Sequence, residues 1–262
     1  MIIVGVGTAG YVMRRRWVTY CLACGPTAAA GSACRRAMLL RVLQSCSVSA
    51  MCNRYRMTEA QIALATRYGV AVPFPPDFEV PPPELFPDRP AYVVRQTDAG
   101  RALDAMAWGF PHQVPGKRID KATGKPVLLT KKITNVRNYT SPFWRSALAN
   151  PRRRCLVPFT AFSEYGQDRG ADGKLSLHWF DVPSRAIVSF AGVWRPTEQG
   201  AVFAFLTCEP NPLVAPIHPK AMPVLLHEED EERWLSCPFE EAVALAQPYP
   251  SQLMAVDCDA IF

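Results

Sequence analysis

The sequence predicts an α+β fold: a single domain with a curved, barrel-like and mainly antiparallel β core and peripheral helices. Twenty-five prolines among 262 residues favour a loop-rich β fold over a helical bundle. Short apolar runs typical of strands dominate the chain, and helical patterns accompany them mainly near its ends. A chain of this length is sufficient for one large domain.

Local signals predict the first elements. A short strand is expected through Tyr55. Thr58 and Gln61 match a capping box that begins a helix, and Gly69 ends that helix. Eight prolines within residues 73–90 exclude regular structure there. A β-hairpin is predicted for the two apolar runs that flank Thr-Asp-Ala-Gly, namely 91–96 and 101–110.

The second half contains most of the predicted strands. A polar stretch with Gly116 and Gly124 is expected to connect the hairpin to Asn135. Ser141 and Pro142 suit the start of a helix over 142–149. Strands are predicted at 155–157, 175–181, 186–194, 201–207 and 222–226. Terminal helices are predicted at 228–235 and 239–246.

Charge divides the chain into two parts. Residues 1–50 contain six arginines and no Asp, Glu or Lys, whereas residues 51–262 contain 23 basic and 23 acidic residues. We therefore interpret 1–50 as a disordered leader that is non-native or processed, 51–250 as the domain and 251–262 as a tail. A nucleic-acid partner would have to bind a local basic patch.

The remaining composition predicts a cytoplasmic protein. Nothing resembles 18 uninterrupted apolar residues, so no membrane association is expected. The cysteines are scattered, which suits reduced intracellular thiols. Cys21 and Cys24 lack a second pair at zinc spacing, so neither a metal nor another cofactor is predicted.

Four motifs occur in a fixed order between residues 51 and 245. They are Met-Cys-Asn-Arg-Tyr from Met51, Asn-Val-Arg from Asn135, Phe-Ser-Glu-Tyr from Phe162, and Ile-His-Pro-Lys-Ala-Met-Pro from Ile217. Together they resemble the SRAP family, the SOS response-associated peptidases or abasic-site processing proteins. In that family the nucleophile is a cysteine at the very N-terminus.

The resemblance implies a specific chemistry for Cys52. An internal cysteine is usually a small buried apolar residue. If Met51 is the initiator and is removed, Cys52 offers a thiol beside an α-amine whose pKa is about 7.7–8.0. The amine then attacks the aldehyde of a ring-opened abasic deoxyribose, and the thiol closes a thiazolidine.

Three further residues are candidate catalytic residues by the same resemblance. Asn135 orients the nucleophile or the sugar, although a turn Asn is the simpler interpretation. Glu164 is a general acid or base if aromatic neighbours raise its pKa, and otherwise faces solvent. His218 protonates the sugar ring oxygen or transfers protons, although a lone histidine is more often structural.

The predicted DNA contacts combine basic and aromatic residues. Arginine suits phosphate because of its planar guanidinium, and aromatic rings stack on bases. The candidates are Arg54, Trp108, Arg137, Arg154, Tyr165 and Lys220. The basic run at 152–154 would ordinarily be a solvated face. Asn53 and Tyr139 depart from the family pattern, in which Gly and Glu are usual.

The predicted function is an SOS-response, DNA-damage protein that cross-links covalently to abasic sites in single-stranded DNA. The same site would remove the preceding residues autoproteolytically, which makes the protein a peptidase with lyase-like activity. It is predicted to be a monomer that associates with the nucleoid when bound to DNA. Two alternatives are a cysteine-type N-terminal-nucleophile peptidase acting on other proteins and a non-catalytic nucleic-acid-binding module.

Overall fold

A computed structural model describes residues 52–71, 74, 78–169 and 173–259. These residues belong to one compact unit, Ser49–Phe262, and the predicted leader lies outside them. In the described part of the chain no helix is long and apolar enough to cross a membrane.

Strands form most of the regular structure. In chain order they are β1 (Tyr55–Arg56), β2 (Glu84–Leu85), β3 (Pro90–Thr97), β4 (Gly100–Trp108), β5 (Phe110–Ile119), β6 (Pro126–Ile133), β7 (Asn135–Val136), β8 (Arg154–Phe159), β9 (Ala161–Arg169), β10 (Leu175–Asp181), β11 (Val188–Thr197), β12 (Gly200–Cys208), β13 (Met222–Pro223), β14 (Leu225–Leu226) and β15 (Ala255–Asp259). The helices are α1 (Gln61–Tyr68), α2 (Pro142–Leu148), α3 (Glu231–Ser236) and α4 (Phe239–Ala244), with 3₁₀ turns at Pro151–Arg153, Glu228–Asp230 and Ser251–Leu253.

Five strands close into a barrel, which confirms the predicted α+β class. Neighbours around the barrel run β12, β4, β3, β8 and β11, and β11 pairs back with β12. The β12–β4 pair is parallel and the other four are antiparallel. A second sheet, in the order β15, β10, β9, β1 and β2, adjoins it. Closing the sheet removes exposed edges from the barrel.

The core is aromatic and lies inside the barrel. Tyr55 makes edge-to-face contacts with Trp108, Phe190 and Phe205 at centroid distances of 5.2, 5.6 and 6.2 Å. Phe159 stacks on Phe190 at 3.8 Å. Such ring pairs add to the free energy gained by removing apolar surface from water. They fix β1, and with it the described residues 52–54, against the barrel.

Most predicted elements are present with shifted ends. The predicted hairpin is formed by β3 and β4. Its first residue pair is Pro90 with Ala107 and its last is Thr97 with Gly100. Gly69 adopts the left-handed conformation (φ 59°) that ends α1. The predicted capping box is wrong, because Ala60 is the N-cap and makes no side-chain bond. Thr58 instead bonds Thr160 through its hydroxyl.

Three segments differ from the predictions. The supposed polar connection is a separate two-stranded sheet, β5–β6. The proline-rich segment contains the short strand β2, which pairs with β1. The predicted tail includes β15, which pairs with β10, so the fold extends beyond residue 250.

A candidate active site around Cys52

Cys52 is buried where the two sheets meet. It lies three residues before Tyr55, and only 2% of its surface is exposed. Its thiol points to the carbonyl oxygen of Arg54 at 3.8 Å. Burial, followed by the charge of Glu164, raises the pKa of the thiol well above its usual value. The thiol is therefore protonated at neutral pH and needs a base before it can act as a nucleophile.

Asn135 holds the backbone of Cys52. Strand β7 runs parallel to β12, with Asn135 opposite Phe205, and this pairing places the amide beside the cysteine. The Asn135 Nδ2 donates to the Cys52 carbonyl oxygen at 3.1 Å and to Thr134 Oγ1 at 3.0 Å. Its buried Oδ1 has no partner among the described residues. This oxygen is an acceptor at the site that remains available to a ligand.

Glu164 is a buried acid beside Cys52. Strand β9 places its side chain in the interior, where 2% is exposed. Its Oε1 has no hydrogen-bond partner among the described residues. Burial raises the pKa of Glu164 to about 8, and hydrogen bonding by the backbone and the side chain of Cys52 opposes the rise. At neutral pH the group is mostly a neutral acid, so it can either donate or accept a proton.

His218 lies in the loop between β12 and β13, and its ring is oriented by the backbone. Its Nδ1 lies 2.7 Å from the Ala221 carbonyl oxygen. A carbonyl only accepts, so Nδ1 carries the proton. The other nitrogen, Nε2, is buried and has no partner in the described part of the chain. Nε2 is thus the nitrogen that can exchange a proton with a ligand.

Two residues that were predicted to bind phosphate, Arg137 and Lys220, are linked by a hydrogen bond at the surface. The Arg137 Nη2 donates to the Lys220 carbonyl oxygen at 2.5 Å and lies 3.6 Å from a Glu209 carboxylate oxygen. Both basic side chains are exposed. Since Lys220 lies two residues after His218, this contact connects the Asn135 segment to the histidine loop.

Arg54 and Tyr165 also lie on accessible parts of the second sheet. Arg54 pairs with Glu84, and its guanidinium lies over the rings of Trp179 and Phe86 at 5.2 and 5.4 Å. Tyr165 is 41% exposed. Both positions remain compatible with contact to a nucleic acid.

The structure contradicts two predicted DNA contacts, because both residues are fully buried. Trp108 packs in the barrel core and donates its indole N–H to the Thr134 carbonyl oxygen at 3.1 Å. Arg154 donates to Cys237 and lies over the ring of Trp234 at 5.6 Å. Neither side chain is available to stack on a base or bind a phosphate.

The structure shows supporting contacts for two residues to which the sequence analysis assigned no role. Ser163 donates its backbone N–H and its hydroxyl to the Arg54 carbonyl oxygen at 3.1 and 3.2 Å. Tyr139, where the family usually has Glu, donates to the Thr207 carbonyl oxygen at 2.7 Å. These contacts join distant parts of the chain, so no local sequence signal indicates them. Among the described residues, no group of three or more His, Cys, Asp or Glu is arranged to hold a metal.

The fold and the site define a class of proteins. In this class a buried cysteine and a buried glutamate lie side by side where a small barrel meets a second sheet. The sequence model of the SOS response associated peptidase (SRAP) family matches residues 51–259. The chain therefore belongs to the SRAP family.

Curated relatives carry consistent names. The chain is 25% identical over 195 residues to the abasic site processing protein YoaM of Bacillus subtilis. The matched region covers 71% of this chain and 79% of YoaM. It is 24% identical over 216 residues to the abasic site processing protein YoqW of the same organism, covering 78% and 90% of the two chains.

Solved structures share the fold. A protein from Bordetella bronchiseptica superposes with a TM-score of 0.61 at 22% identity, over 80% of this chain and all of the other. A protein from Bacteroides thetaiotaomicron superposes with a TM-score of 0.59 at 20% identity, over 79% and 91% of the two chains. At this identity the likeness concerns the fold alone.

Proposed function

We propose that this protein is an abasic-site sensor that cross-links to single-stranded DNA through an N-terminal Cys52, after hydrolytic removal of the residues before it. We further propose that it acts as a monomer in the cytoplasm and associates with the nucleoid through DNA. Membership of the SRAP family and the names of the curated relatives support a substrate containing abasic sites.

One observation supports this chemistry most strongly: the buried carboxyl of Glu164 lies beside Cys52, and hydrogen bonding by both the backbone nitrogen and the sulfur of Cys52 acts on its pKa. These two atoms form a thiazolidine with an aldehyde. A carboxyl whose pKa is about 8 exchanges protons readily near neutral pH. The site therefore has a proton donor and acceptor at the two atoms where the reaction requires one.

The first step frees the amine. Hydrolysis of the peptide bond before Cys52 consumes one water and releases a carboxylic acid and the α-amine. The Cys52 nitrogen is the leaving group, and Glu164 is placed to protonate it. Asn135 holds the Cys52 carbonyl during this step, so the residue stays in position when the preceding chain leaves.

The second step forms the adduct. The amine adds to the sugar aldehyde to give a carbinolamine, which loses water to give an imine. The thiol then adds to the imine carbon and transfers its proton to the nitrogen, so one water is released overall. Glu164 assists the loss of water as an acid and the thiol addition as a base. His218, with Nε2 free, protonates the ring oxygen that leaves when the sugar opens.

Mass spectrometry of the protein after incubation with abasic single-stranded DNA tests this function. The comparison is between the full chain and a chain that begins at Met51 and has lost that methionine. We expect a DNA adduct, with loss of one water, only for molecules whose first residue is Cys52. Equal adduct yield from molecules that retain the leader would refute amine attack. Cleavage of added peptides without an adduct would favour a peptidase acting on other proteins, and neither product would favour a binding module.

A further inference from the structure

The β5–β6 hairpin, hereafter the ribbon (residues 110–133), forms a sheet of its own. Its two strands are antiparallel, with Phe110 paired with Ile133 at one end and Ile119 paired with Pro126 at the other. Neither strand joins the barrel or the second sheet. At about 3.3 Å per residue, a ten-residue strand spans about 30 Å. Beyond the first pairs most of its side chains are exposed, including Leu128 at 61%. The ribbon thus offers a surface that the fold itself does not use.

The ribbon carries a strong positive charge. It contains six basic residues and one acidic residue, whereas the rest of residues 51–262 contains 17 basic and 22 acidic residues. Its acid, Asp120, accepts two backbone hydrogen bonds in the turn. Lys132 pairs with Asp88 at 2.8 Å. Within the described residues the other five cations make no ion pair, namely Lys117, Arg118, Lys121, Lys125 and Lys131. A concentrated charge of this kind suits a polyanion.

The base of the ribbon is fixed beside the candidate active site. Residue 133 ends β6, and Asn135, which binds the Cys52 carbonyl, follows two residues later. The Gly109 N–H donates to the Phe203 carbonyl oxygen at 2.8 Å. Gly109 has φ 126°, and a Cβ there would lie 2.9 Å from the Lys132 Cβ, so glycine is required where the two strands separate. Arg195 donates to the Pro111 carbonyl oxygen at 3.0 Å. These contacts fix where the ribbon leaves the domain.

The composition of the ribbon favours a double helix over a single strand. Residues 113–131 contain no aromatic residue, whereas binding of single strands relies on aromatic stacking. A two-stranded β-ribbon fits the major groove, which is about 12 Å wide. Lysine and arginine side chains bind phosphates without reading sequence.

We propose that the ribbon binds the phosphate backbone of duplex DNA that flanks the abasic site. This inference rests on the proposed function for its location, because the ribbon begins beside the residues that hold Cys52. The charge argument applies equally to undamaged duplex. The ribbon would therefore recruit the protein to DNA near the lesion and leave the chemistry to the Cys52 site.

The test compares two triple variants of the full chain with equal changes in charge. The ribbon variant carries Lys117→Gln, Lys121→Gln and Lys125→Gln. The control carries Arg152→Gln, Arg169→Gln and Arg233→Gln at exposed positions outside the ribbon. Thermal unfolding checks that each variant is folded. Affinity for undamaged duplex, for single-stranded DNA and for vesicles containing phosphatidylserine is measured over a range of salt concentrations.

We expect the ribbon variant to bind duplex about tenfold or more weakly, with a log–log salt slope reduced by up to about 3. The control should change the slope by less than 1, and single-strand binding should change by less than about threefold in either variant. Equal effects of the two triple variants on duplex would overturn the proposal. So would a ribbon effect larger on single strands, or one confined to vesicles. Adduct formation at Cys52 is scored separately on abasic single strands, so failure of the proposed function is distinguishable from failure of the ribbon.

Discussion

Replacing Glu164 by glutamine tests whether this buried carboxyl is neutral in the folded protein. Burial raises its pKa from 4.5 to about 8. Because the folded-state value is the higher one, the folded state binds more protons between these values. The stabilising contribution is complete below about pH 4.5 and is lost as the pH rises through 8. Glutamine has nearly the same shape and no titrating proton. The stability of the variant should therefore not show this decrease as the pH rises.

The expected change in the free energy of unfolding follows from the difference between the pKa values of Glu164 in the unfolded and folded states. Between pH 4.5 and 8 each pH unit lowers the free energy of unfolding by about 1.4 kcal/mol, which amounts to about 5 kcal/mol across the window. Urea unfolding at pH 5, 6, 7 and 8 measures this slope for the wild type and for Glu164→Gln. The matched control is Glu198→Gln, which makes the same chemical change at an exposed position.

The difference between the two proteins isolates the carboxyl from other titrating groups. The wild type should lose stability relative to Glu164→Gln as pH rises, whereas Glu198→Gln should follow the wild type. A wild-type-to-variant difference that stays constant from pH 5 to pH 8 would show that Glu164 is ionised throughout. The proton transfers assigned to it would then have to be abandoned.

Four further outcomes are expected. Cys52→Ser should abolish the stable adduct, whereas Cys52→Ala should still give an imine that borohydride traps, and mass spectrometry that finds no trapped species would argue against amine attack. His218→Ala should slow single-turnover cross-linking by about 10²–10⁴-fold, and loss of binding with an unchanged rate would contradict its role as an acid. Arg137→Ala should instead weaken DNA binding and flatten its salt dependence, as measured by titration at several salt concentrations. Trp108→Ala should lower the free energy of unfolding by about 3–5 kcal/mol, and a stable variant with weakened DNA binding would show that its burial has been misjudged.

Elements with signals in adjacent residues were predictable from the sequence. Gly69 ends α1 because glycine readily adopts the left-handed conformation found there. The β3–β4 hairpin follows from two apolar runs around a short turn. The β5–β6 ribbon lacks such a signal, because most of its side chains face solvent and apolar residues do not alternate with polar ones. Its charge was visible in the sequence, but its form was not.

Burial depends on residues far apart in the chain and was less predictable. The motifs identified Cys52, Asn135 and Glu164, yet only the fold shows that the last two both contact the first. Residue type alone suggested DNA contacts for Trp108 and Arg154, which packing excludes. Matching a motif identifies a residue type at a position, and the three-dimensional packing decides whether its side chain reaches solvent.

The proton affinities at the site suggest why Glu164 suits an N-terminal cysteine better than an internal one. In the intact chain the Cys52 nitrogen is an amide that does not titrate, and burial keeps the thiol protonated. Release of the α-amine would add a group with an ordinary pKa of about 7.7–8.0 beside a carboxyl whose pKa burial raises to about 8. Burial favours the neutral form of both groups, so the site would hold an unprotonated amine beside a neutral acid. Under the proposed function, cleavage would therefore supply the nucleophile beside the acid that Glu164 already provides.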